Sequence, residues 1–245
     1  MTKPKLIHRF KERHRLKSRQ INKQSMQQRI NDMRITVFGA AGSAGSEIVT
    51  EALSRGHEVT AVVRSEARFD QLPSAASKRQ GDASCIEDVI SLSEGQDLVI
   101  AATRPPEGKE RDLITISQSL LTGLTQTQVR LIAVGGAGSL KVADNKDTLV
   151  VDDTRYVSPA WRDIAVACVD QYNLYKAATE TQWTYLSPPA MLLPGERTAK
   201  FRLGKDDLLV DQKGQSKISY EDLAIAMIDE AEQSNFPKQR FTLAY

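Results

Sequence analysis

Short apolar runs alternate with amphipathic stretches along the chain after Met33. The runs Arg34–Phe38 and Glu58–Val63 are rich in β-branched residues, a composition typical of strands buried in a parallel sheet. Between them, the apolar residues from Ile48 to Leu53 recur at helical spacing, and Gly56 provides a natural stop for a helix. This stretch therefore predicts a strand–helix–strand unit.

The alternation of strands and helices continues along the chain. Further strands are predicted over Lys78–Gln80, Asp97–Ala102, Val129–Val134, Trp183–Leu186 and Arg240–Ala244. Further helices are predicted after a capping box of Ser84 and Glu87, from Leu113 to Leu124, from Trp161 to Thr179, and from a cap at Ser219 to Ala231. A small hairpin is predicted over Phe201–Leu203 and Leu208–Val210, and a long polar connection over residues 140–160. The pattern indicates an α/β fold, with one doubly wound parallel sheet over residues 33–245.

Three glycines follow the first predicted strand at once, spaced G-x-x-G-x-x-G before the helix. In such a unit one glycine permits the tight turn, one lets the backbone approach a pyrophosphate, and one lets helix and strand pack closely. The start of the helix then offers unpaired N–H groups to the phosphates. The motif predicts a dinucleotide site, and the alternative is a tight turn with no ligand. The predicted phosphate contacts are Gly39, Ala41, Gly42, Ser43, Ala44 and Gly45.

The residues that end the second predicted strand bear on the type of dinucleotide. An NAD site usually carries an acid there, which accepts hydrogen bonds from the ribose hydroxyls. This chain has Arg64 at that point, with Glu66 two residues later and Arg68 just beyond. Because a guanidinium forks onto phosphate oxygens, Arg64 predicts the 2′-phosphate of NADP in preference to NAD. The alternative is that Arg64 is a solvated strand end.

Positive charge is concentrated at the N-terminus. Residues 1–32 hold ten Lys/Arg and two acids, a net charge of +8, whereas residues 33–245 hold 23 Lys/Arg and 29 acids, a net charge of −6. The basic segment has few apolar residues and predicts a solvated, disordered tail or a frayed helix. A nucleic-acid or membrane-surface arm is a less favoured alternative. A translation start at Met33 is another, which would remove the segment.

The composition argues against several other classes of protein. No apolar run approaches the ~20 residues that a membrane span needs, and no signal-peptide core precedes residue 33. Cys85 and Cys168 lie far apart and fit no metal or redox motif, and the three histidines form no cluster. We therefore expect no metal site, no membrane partner, and a reduced, cytoplasmic setting.

Residues 33–245 resemble the atypical short-chain dehydrogenase/reductases, in particular the NAD(P)H-binding group of NADH-flavin reductase-like and NmrA-like proteins. The resemblance rests on the first unit, the strand ending VGGAGSL, the segment SPPAMLLPGERTAKFRLG and the helix ISYEDLAIAMIDE. It implies a Rossmann fold with strand order 3-2-1-4-5-6-7 and a dinucleotide at the carboxyl ends of the strands. It also implies contact of Asp82 with the adenine, the alternative being a turn residue. The cofactor contacts implied at the ends of the fourth and fifth strands are Ala101, Ala102, Thr103 and Gly135, although small residues there are equally consistent with plain packing.

The superfamily's dehydrogenases use a serine together with a Y-x-x-x-K pair, in which the ammonium lowers the pKa of the tyrosine. This chain carries Tyr172 and Lys176 at that spacing on the expected helix, and Ser139 matches the serine position. The competing interpretation is that Tyr172 belongs to a core face, because it continues an apolar stripe that begins at Ile164. For Ser139 the alternative is a loop cap.

Two classes of function follow from these observations. The first is an NADPH-dependent oxidoreductase that moves hydride to a small acceptor such as a flavin, a quinone or a carbonyl compound. The second is a non-catalytic NADP(H)-binding sensor or regulator of the NmrA-like kind. Either would bind small molecules, and a homodimer is compatible with both.

Overall fold

The computed structural model of this chain describes residues 32–245, so the predicted tail over residues 1–32 lies outside them apart from Asp32. The strands are β1 (Arg34–Phe38), β2 (Glu58–Val63), β3 (Ser77–Gln80), β4 (Leu98–Ala101), β5 (Arg130–Val134), β6 (Lys141–Val142), β7 (Asn145–Leu149), β8 (Trp183–Ser187), β9 (Met191–Leu193), β10 (Arg202–Gly204), β11 (Lys217–Ser219) and β12 (Gln239–Ala244). The α-helices are α1 (Ser43–Ser54), α2 (Ile86–Ser93), α3 (Asp112–Thr127), α4 (Arg162–Ala177) and α5 (Tyr220–Gln233).

Eight of the strands form one sheet in the order β10-β12-β8-β5-β4-β1-β2-β3. All neighbours are parallel except β10 and β12, which pair antiparallel. The order from β3 to β12 confirms the implied order 3-2-1-4-5-6-7, and β10 adds one antiparallel strand at the edge. The doubly wound sheet predicted from the alternation of elements is therefore confirmed.

Helices cover both faces of the sheet. On one face, α1 and α5 pack together over a core that includes Ile35, Val37 and Ile100. On the other face, α2, α3 and α4 pack over a core that includes Phe38 and Tyr185. Successive residues of β1 point to opposite faces, and helices cover both faces, which explains why all of its residues after Arg34 are buried. This three-layer arrangement leaves the carboxyl ends of the strands free to form a site.

Hydrogen bonds decide where the predicted caps form. At α5 the hydroxyl of Ser219 accepts the N–H of Asp222 at 3.0 Å, as predicted. The capping box predicted at Ser84 and Glu87 is wrong, because α2 begins at Ile86 and no side chain caps it. Ser84 instead donates both its N–H and its hydroxyl to Asp82 Oδ1, at 2.8 and 2.7 Å. Ser84 therefore belongs to a turn with Asp82 that precedes the helix, and it does not cap the helix.

The predicted hairpin over 201–203 and 208–210 is also wrong. Strand β10 pairs with β12, and Leu208 is not in a strand but donates its N–H to the carbonyl of Lys141. Leu208 is buried in a small cluster with Leu140 and Val150, which holds it away from β10. The connection over residues 140–160 is likewise more ordered than its sequence pattern indicates, because β6 and β7 form an antiparallel pair within it.

An ion-pair network ties α1 to α5 and to the segment after β9. The buried carboxylate of Glu51 on α1 accepts hydrogen bonds from Arg55 at 2.8 Å and from Arg197 at 2.8 and 2.9 Å. Arg55 continues the network to Asp229 on α5 at 2.7 Å. The hydrogen bond from Arg197 is the main reason that the pKa of Glu51 lies below its ordinary value. These contacts hold the helix that follows the glycine turn in a fixed position.

Candidate functional site

The glycine turn between β1 and α1 leaves no room for side chains at two of its positions. Gly39 has φ +78°, and a Cβ there would lie 2.4 Å from the carbonyl oxygen of Ala102 after β4. A Cβ at Gly45 would lie 2.1 Å from the carbonyl oxygen of Gly39, which also accepts the N–H of Gly42 at 2.9 Å. The turn is therefore tight at Gly39, and the helix can approach it closely only because residue 45 is glycine.

The start of α1 is suited to an anion. Gly42 is the N-cap, no side chain caps the helix among the described residues, and its first turn carries no acid. By contrast, α5 starts with the Ser219 cap, which accepts one of its free N–H groups, and has two acids in its first turn, which complement its dipole. The free N–H groups of α1 point towards the carboxyl ends of the strands, where phosphate groups bind in such folds.

A cleft of about 950 Å³ lies above the glycine turn and the ends of β2, β4, β5 and β8. Its volume falls in the range that small ligands and cofactors occupy. Ten of the predicted cofactor contacts line it, namely Gly39, Ala41, Gly42, Ser43, Ala44, Arg64, Asp82, Ala102, Thr103 and Gly135. The other two do not line it, because Gly45 lies beneath the turn and Ala101 is a core residue with 3% exposure.

Two arginines lie where β2 ends. Arg64 is exposed and lines the cleft. Within residues 32–245 only its backbone carbonyl has a hydrogen-bond partner, the side chain of Gln80 at 3.1 Å. Arg68 lies on the short helix after β2 and donates to the carbonyl of Ala41 in the glycine turn at 2.7 Å. Glu66 is not among the residues that line the cleft. The mouth of the cleft at β2 is therefore cationic.

Asp82 follows β3, the strand next to β2, and also lines the cleft. Its Oδ1 accepts from Ser84, and its backbone N–H donates to Asp88 at 2.8 Å. Its Oδ2 has no hydrogen-bond partner within residues 32–245. Asp82 is thus a turn residue, and it also lines the cleft, as a contact with the adenine would require.

Glycines after β5 bring α4 and β8 close to the cleft. A Cβ at Gly135 would lie 1.9 Å from the ring of Tyr185, and one at Gly136 would lie 2.6 Å from the sulfur of Cys168. This close packing lets the first turns of α4 line the cleft with Ile164, Ala165 and Cys168. Burial raises the pKa of the Cys168 thiol to about 12, so that it is an apolar wall residue rather than a nucleophile.

The structure brings Tyr172, Lys176 and Ser139 together, but around Arg240 rather than in the cleft. The guanidinium carbon of Arg240 lies 4.2 Å from the ring centroid of Tyr172, and its Nη1 donates to Ser139 Oγ at 2.8 Å. Lys176 Nζ lies 5.0 Å from the same ring. Asp206 completes the group by accepting from Arg240.

These side chains gather at Arg240 and not in the cleft. The cleft lining follows α4 as far as Gln171, but the ring of Tyr172 packs against Tyr185, with 5.1 Å between the ring centroids, and against Arg240. Ser139 lies in the turn after β5. Neither Tyr172, Lys176 nor Ser139 belongs to the cleft lining. Burial also raises the pKa of Tyr172, which disfavours a tyrosinate. The catalytic role stays a prediction, and this geometry gives it no support.

Sequence patterns did not reveal the outer wall of the cleft. Trp161, just before α4, is 57% exposed and lines the cleft, and the guanidinium carbon of Arg104 lies 4.9 Å from its ring centroid. Met191 and Leu193 on β9 complete this wall from the opposite side. The sequence signals at these positions are a single tryptophan and an arginine followed by two prolines, and neither forms part of a periodic pattern.

Within residues 32–245 no three histidine, cysteine or acidic side chains are grouped so as to hold a metal ion. No helix in that range has the length and apolar character needed to cross a membrane.

A model of one known family, described as NAD(P)H-binding, matches residues 39–234. The chain belongs to the NAD(P)H-binding family. The matched range takes in the glycine turn, most of the cleft lining and α5.

The chain is similar to proteins of different description. The uncharacterised protein YwnB of Bacillus subtilis is 35% identical over 216 residues, which are 86% of this chain and 98% of YwnB. A Bacteroides thetaiotaomicron structure described as a candidate epimerase is 36% identical with a TM-score of 0.80, covering 87% of this chain and 97% of its own. A Streptococcus pneumoniae structure described as a candidate NADH-flavin reductase is 33% identical with a TM-score of 0.76, covering 86% and 99%. Membership of the family therefore indicates an NAD(P)H ligand, whereas the different descriptions of the relatives do not fix the reaction.

Proposed function

We propose that this protein is an NAD(P)H-dependent reductase that passes hydride to a small organic acceptor and prefers NADPH. The observation that carries the proposal is the uncapped start of α1, reached through a turn that excludes side chains at Gly39 and Gly45, at the base of a cleft with an apolar far wall. A pyrophosphate fits the first feature, and a nicotinamide fits the second.

Each part of the dinucleotide has a complementary group in the cleft. The pyrophosphate is held by backbone N–H groups of residues 43–45, since the N–H of Gly42 is already donated to the carbonyl of Gly39. Arg64 reads the 2′-phosphate, because its guanidinium is exposed at the mouth and forks onto phosphate oxygens. Arg68 adds positive charge there while it braces the turn through Ala41. Asp82 meets the adenine with its free Oδ2.

The chain's residues bind and orient, whereas the nicotinamide, when bound, supplies the hydride. Thr103 and Gly135 line the cleft on either side of the sheet centre, where the nicotinamide end of the cofactor would lie. Ile164 and Cys168 close that end with apolar surface, which excludes water from the hydride donor. The acceptor takes its proton from solvent at the open rim beside Trp161.

A second candidate function is a non-catalytic NADP(H) sensor. It is favoured by one observation, that Tyr172 and Lys176 lie outside the cleft and leave the site without the superfamily's proton donor. The reductase remains the better proposal, because reduction of a flavin or quinone needs little help from an acid and the cleft has room beyond the nucleotide.

Fluorescence titration of the full chain with NADPH and NADH tests the nucleotide assignment. Arg64→Ala should weaken NADPH binding by about ten- to hundredfold and leave NADH binding within about twofold, since one charge-assisted fork is lost. Arg79→Ala is the matched control, because Arg79 is exposed on the neighbouring strand and does not line the cleft. Equal losses for both nucleotides would disprove the role of Arg64, and no binding by the wild type would overturn the proposal as a whole.

Turnover separates the two candidate functions. NADPH absorbance followed with flavins, quinones and aldehydes should fall with at least one of them if the protein is a reductase. Tight NADPH binding with no oxidation by any acceptor would favour the sensor.

A further inference from the structure

The outer wall of the cleft exposes an unusual amount of apolar surface. Four large hydrophobic side chains are exposed within residues 32–245, and three of them line the cleft: Trp161 at 57%, Met191 at 41% and Leu193 at 48%. Apolar side chains that stay exposed in a concave site usually mark a ligand surface. Trp161 offers the face of a flat ring, which suits a flat partner.

Arg104 is the charged group of this wall. Its guanidinium carbon lies 4.9 Å from the centroid of the Trp161 ring, and the side chain makes no hydrogen bond or ion pair with any residue that the structure describes. It follows Thr103 at the end of β4, whereas Arg64 follows β2. Because β1 lies between β2 and β4, the two strand ends are about 10 Å apart. Arg104 is therefore not needed for the 2′-phosphate that Arg64 would read.

Acids in the cleft do not neutralise Arg104 in this structure. The carboxylates that line the cleft belong to Asp82 and Asp112. Asp82 lies at the nucleotide mouth and is held by Ser84. Asp112 lies in the first turn of α3 and makes no ion pair with Arg104 at 4.0 Å or less. A cation with no carboxylate partner, stacked beside an exposed indole, can accept an anion from a ligand.

We propose that Arg104 and Trp161 form the acceptor site and select a planar aromatic acceptor that carries an anionic group, either a carboxylate, a sulfonate or a phosphate. The ring of the acceptor stacks on Trp161, and its anionic group meets the guanidinium of Arg104. The proposal rests on the proposed reductase function, since it places the acceptor beside the nicotinamide end of the cleft. It makes Arg104 the specificity-determining residue for the acceptor.

Riboflavin and FMN form a matched pair of probes, because they share one ring system and differ in a phosphate. In the reaction of FMN, the ring takes a hydride from NADPH and a proton from water, and the products are reduced FMN and NADP⁺. Anthraquinone-2-sulfonate and 2-(hydroxymethyl)anthraquinone form a second pair, which distinguishes a general preference for anions from a preference for phosphate. Preference for FMN alone would mean that the phosphate is read, and preference for both anions would mean that the charge is read.

Binding can be measured without turnover, because the chain has two tryptophans in different environments. Trp161 is exposed, whereas Trp183 is 4% exposed in the core. Quenching by a stacked flavin should therefore come from Trp161 and should disappear in Trp161→Phe. The titration is made with the full chain saturated with NADP⁺, so that the nucleotide is in place and no hydride is available.

The wild type should bind FMN at least about tenfold more tightly than riboflavin, the range expected for a charge-assisted contact. Arg104→Gln should remove this difference, and Arg104→Glu should reverse it. Arg111→Gln is the control, since Arg111 lies on the same loop, pairs with Asp170 at 3.3 Å and does not line the cleft. NADPH affinity should stay unchanged in all three variants.

The outcomes separate this inference from the reductase proposal. Normal NADPH binding with equal affinities for charged and neutral probes would overturn the role of Arg104 and leave the reductase standing. Selective FMN binding without NADPH oxidation would support the acceptor site as a binding site and overturn the reductase. An unchanged preference in Arg104→Glu would overturn the inference outright.

Discussion

The guanidinium of Arg240 lies over the ring of Tyr172, with 4.2 Å between the guanidinium carbon and the ring centroid. Cation–π contacts of this kind contribute about 0.5–2 kcal/mol when they are partly desolvated. The ring, not the hydroxyl, makes the contact. Tyr172→Phe should therefore keep turnover within about twofold of the wild type, and it should keep the melting temperature almost unchanged. Steady-state rates with NADPH and a saturating acceptor measure the first, and thermal unfolding measures the second.

Removing the whole ring at the same position tests the packing role. Tyr172→Ala removes the ring over Arg240 and should cost about 3 kcal/mol of unfolding free energy, as for other partly buried aromatic residues. A hundredfold loss of turnover in Tyr172→Phe, with NADPH binding intact, would contradict this account and restore the tyrosine–lysine pair as catalytic.

Two glycines with the same backbone strain separate the effect of a steric clash from the effect of conformation. Gly39 and Gly214 have φ +78° and +74°, but a Cβ at Gly39 meets the Ala102 carbonyl at 2.4 Å, whereas one at Gly214 meets nothing within 4 Å. Gly214→Ala should cost about 1 kcal/mol of stability and leave NADPH binding unchanged. Gly39→Ala should in addition weaken NADPH binding by at least about tenfold, because the turn must move away from β4. Equal NADPH affinities in the two variants would show that the turn does not contact the nucleotide.

Burial and periodicity were sufficient to predict the sheet. The runs Arg34–Phe38 and Glu58–Val63 have the bounds that the pattern predicts, because both faces of these strands are covered by helices. Ser219 was also predicted correctly as a cap, since its partner Asp222 lies at the required spacing on the same segment. In each case the information is local, or follows from burial alone.

The failures come from competition and from pairing at a distance. Ser84 has an acidic residue close by on either side in the sequence, and only the structure shows that it hydrogen-bonds to Asp82 and not to Glu87. Strand β10 pairs with a strand almost 40 residues later, which no local pattern reveals. Arg104 and Trp161 were missed because an exposed pair has neither a period nor a motif, although it lies at the most distinctive part of the cleft.

Acid should unfold the protein partly through Glu51. The pKa of this carboxylate is lowered, first by the hydrogen bond from Arg197, so its stabilisation is complete above the ordinary pKa near 4.5 and is lost as the pH falls through the lowered value. Glu51→Gln should cost about 1.5–3 kcal/mol at pH 7 and less below pH 4. Urea unfolding at pH 7, 5 and 3 measures this difference.

Asp97 provides the comparison for Glu51. Its pair with Arg34 is exposed on both sides, at 53% and 43% for the two side chains. Asp97→Asn should therefore cost less than about 1 kcal/mol at pH 7. A Glu51→Gln cost equal to that of Asp97→Asn, or one that does not shrink in acid, would show that the network around Arg197 contributes little.

The two cysteines should react at different rates. Burial raises the pKa of Cys168 to about 12. Cys168 is only 8% exposed, whereas Cys85 is half-buried. At pH 8 iodoacetamide should alkylate Cys85 at least about a hundredfold faster than Cys168, since only the thiolate reacts. Mass spectrometry after timed quenching measures both rates, with the urea-unfolded protein as the reference in which they converge. Rapid labelling of Cys168 in the folded protein would mean that this wall of the cleft opens.

The insertion of β12 between β8 and β10 has a consequence for synthesis on the ribosome. Both β8 and β10 are made before β12, yet neither can complete its pairing until residues 239–244 have left the exit tunnel. Until then the nascent chain presents β8 as an open edge, and open edges are where chains pair wrongly. Translation speed over the last part of the chain, and any chaperone that shields β8, should therefore affect the yield of folded protein more than its final stability.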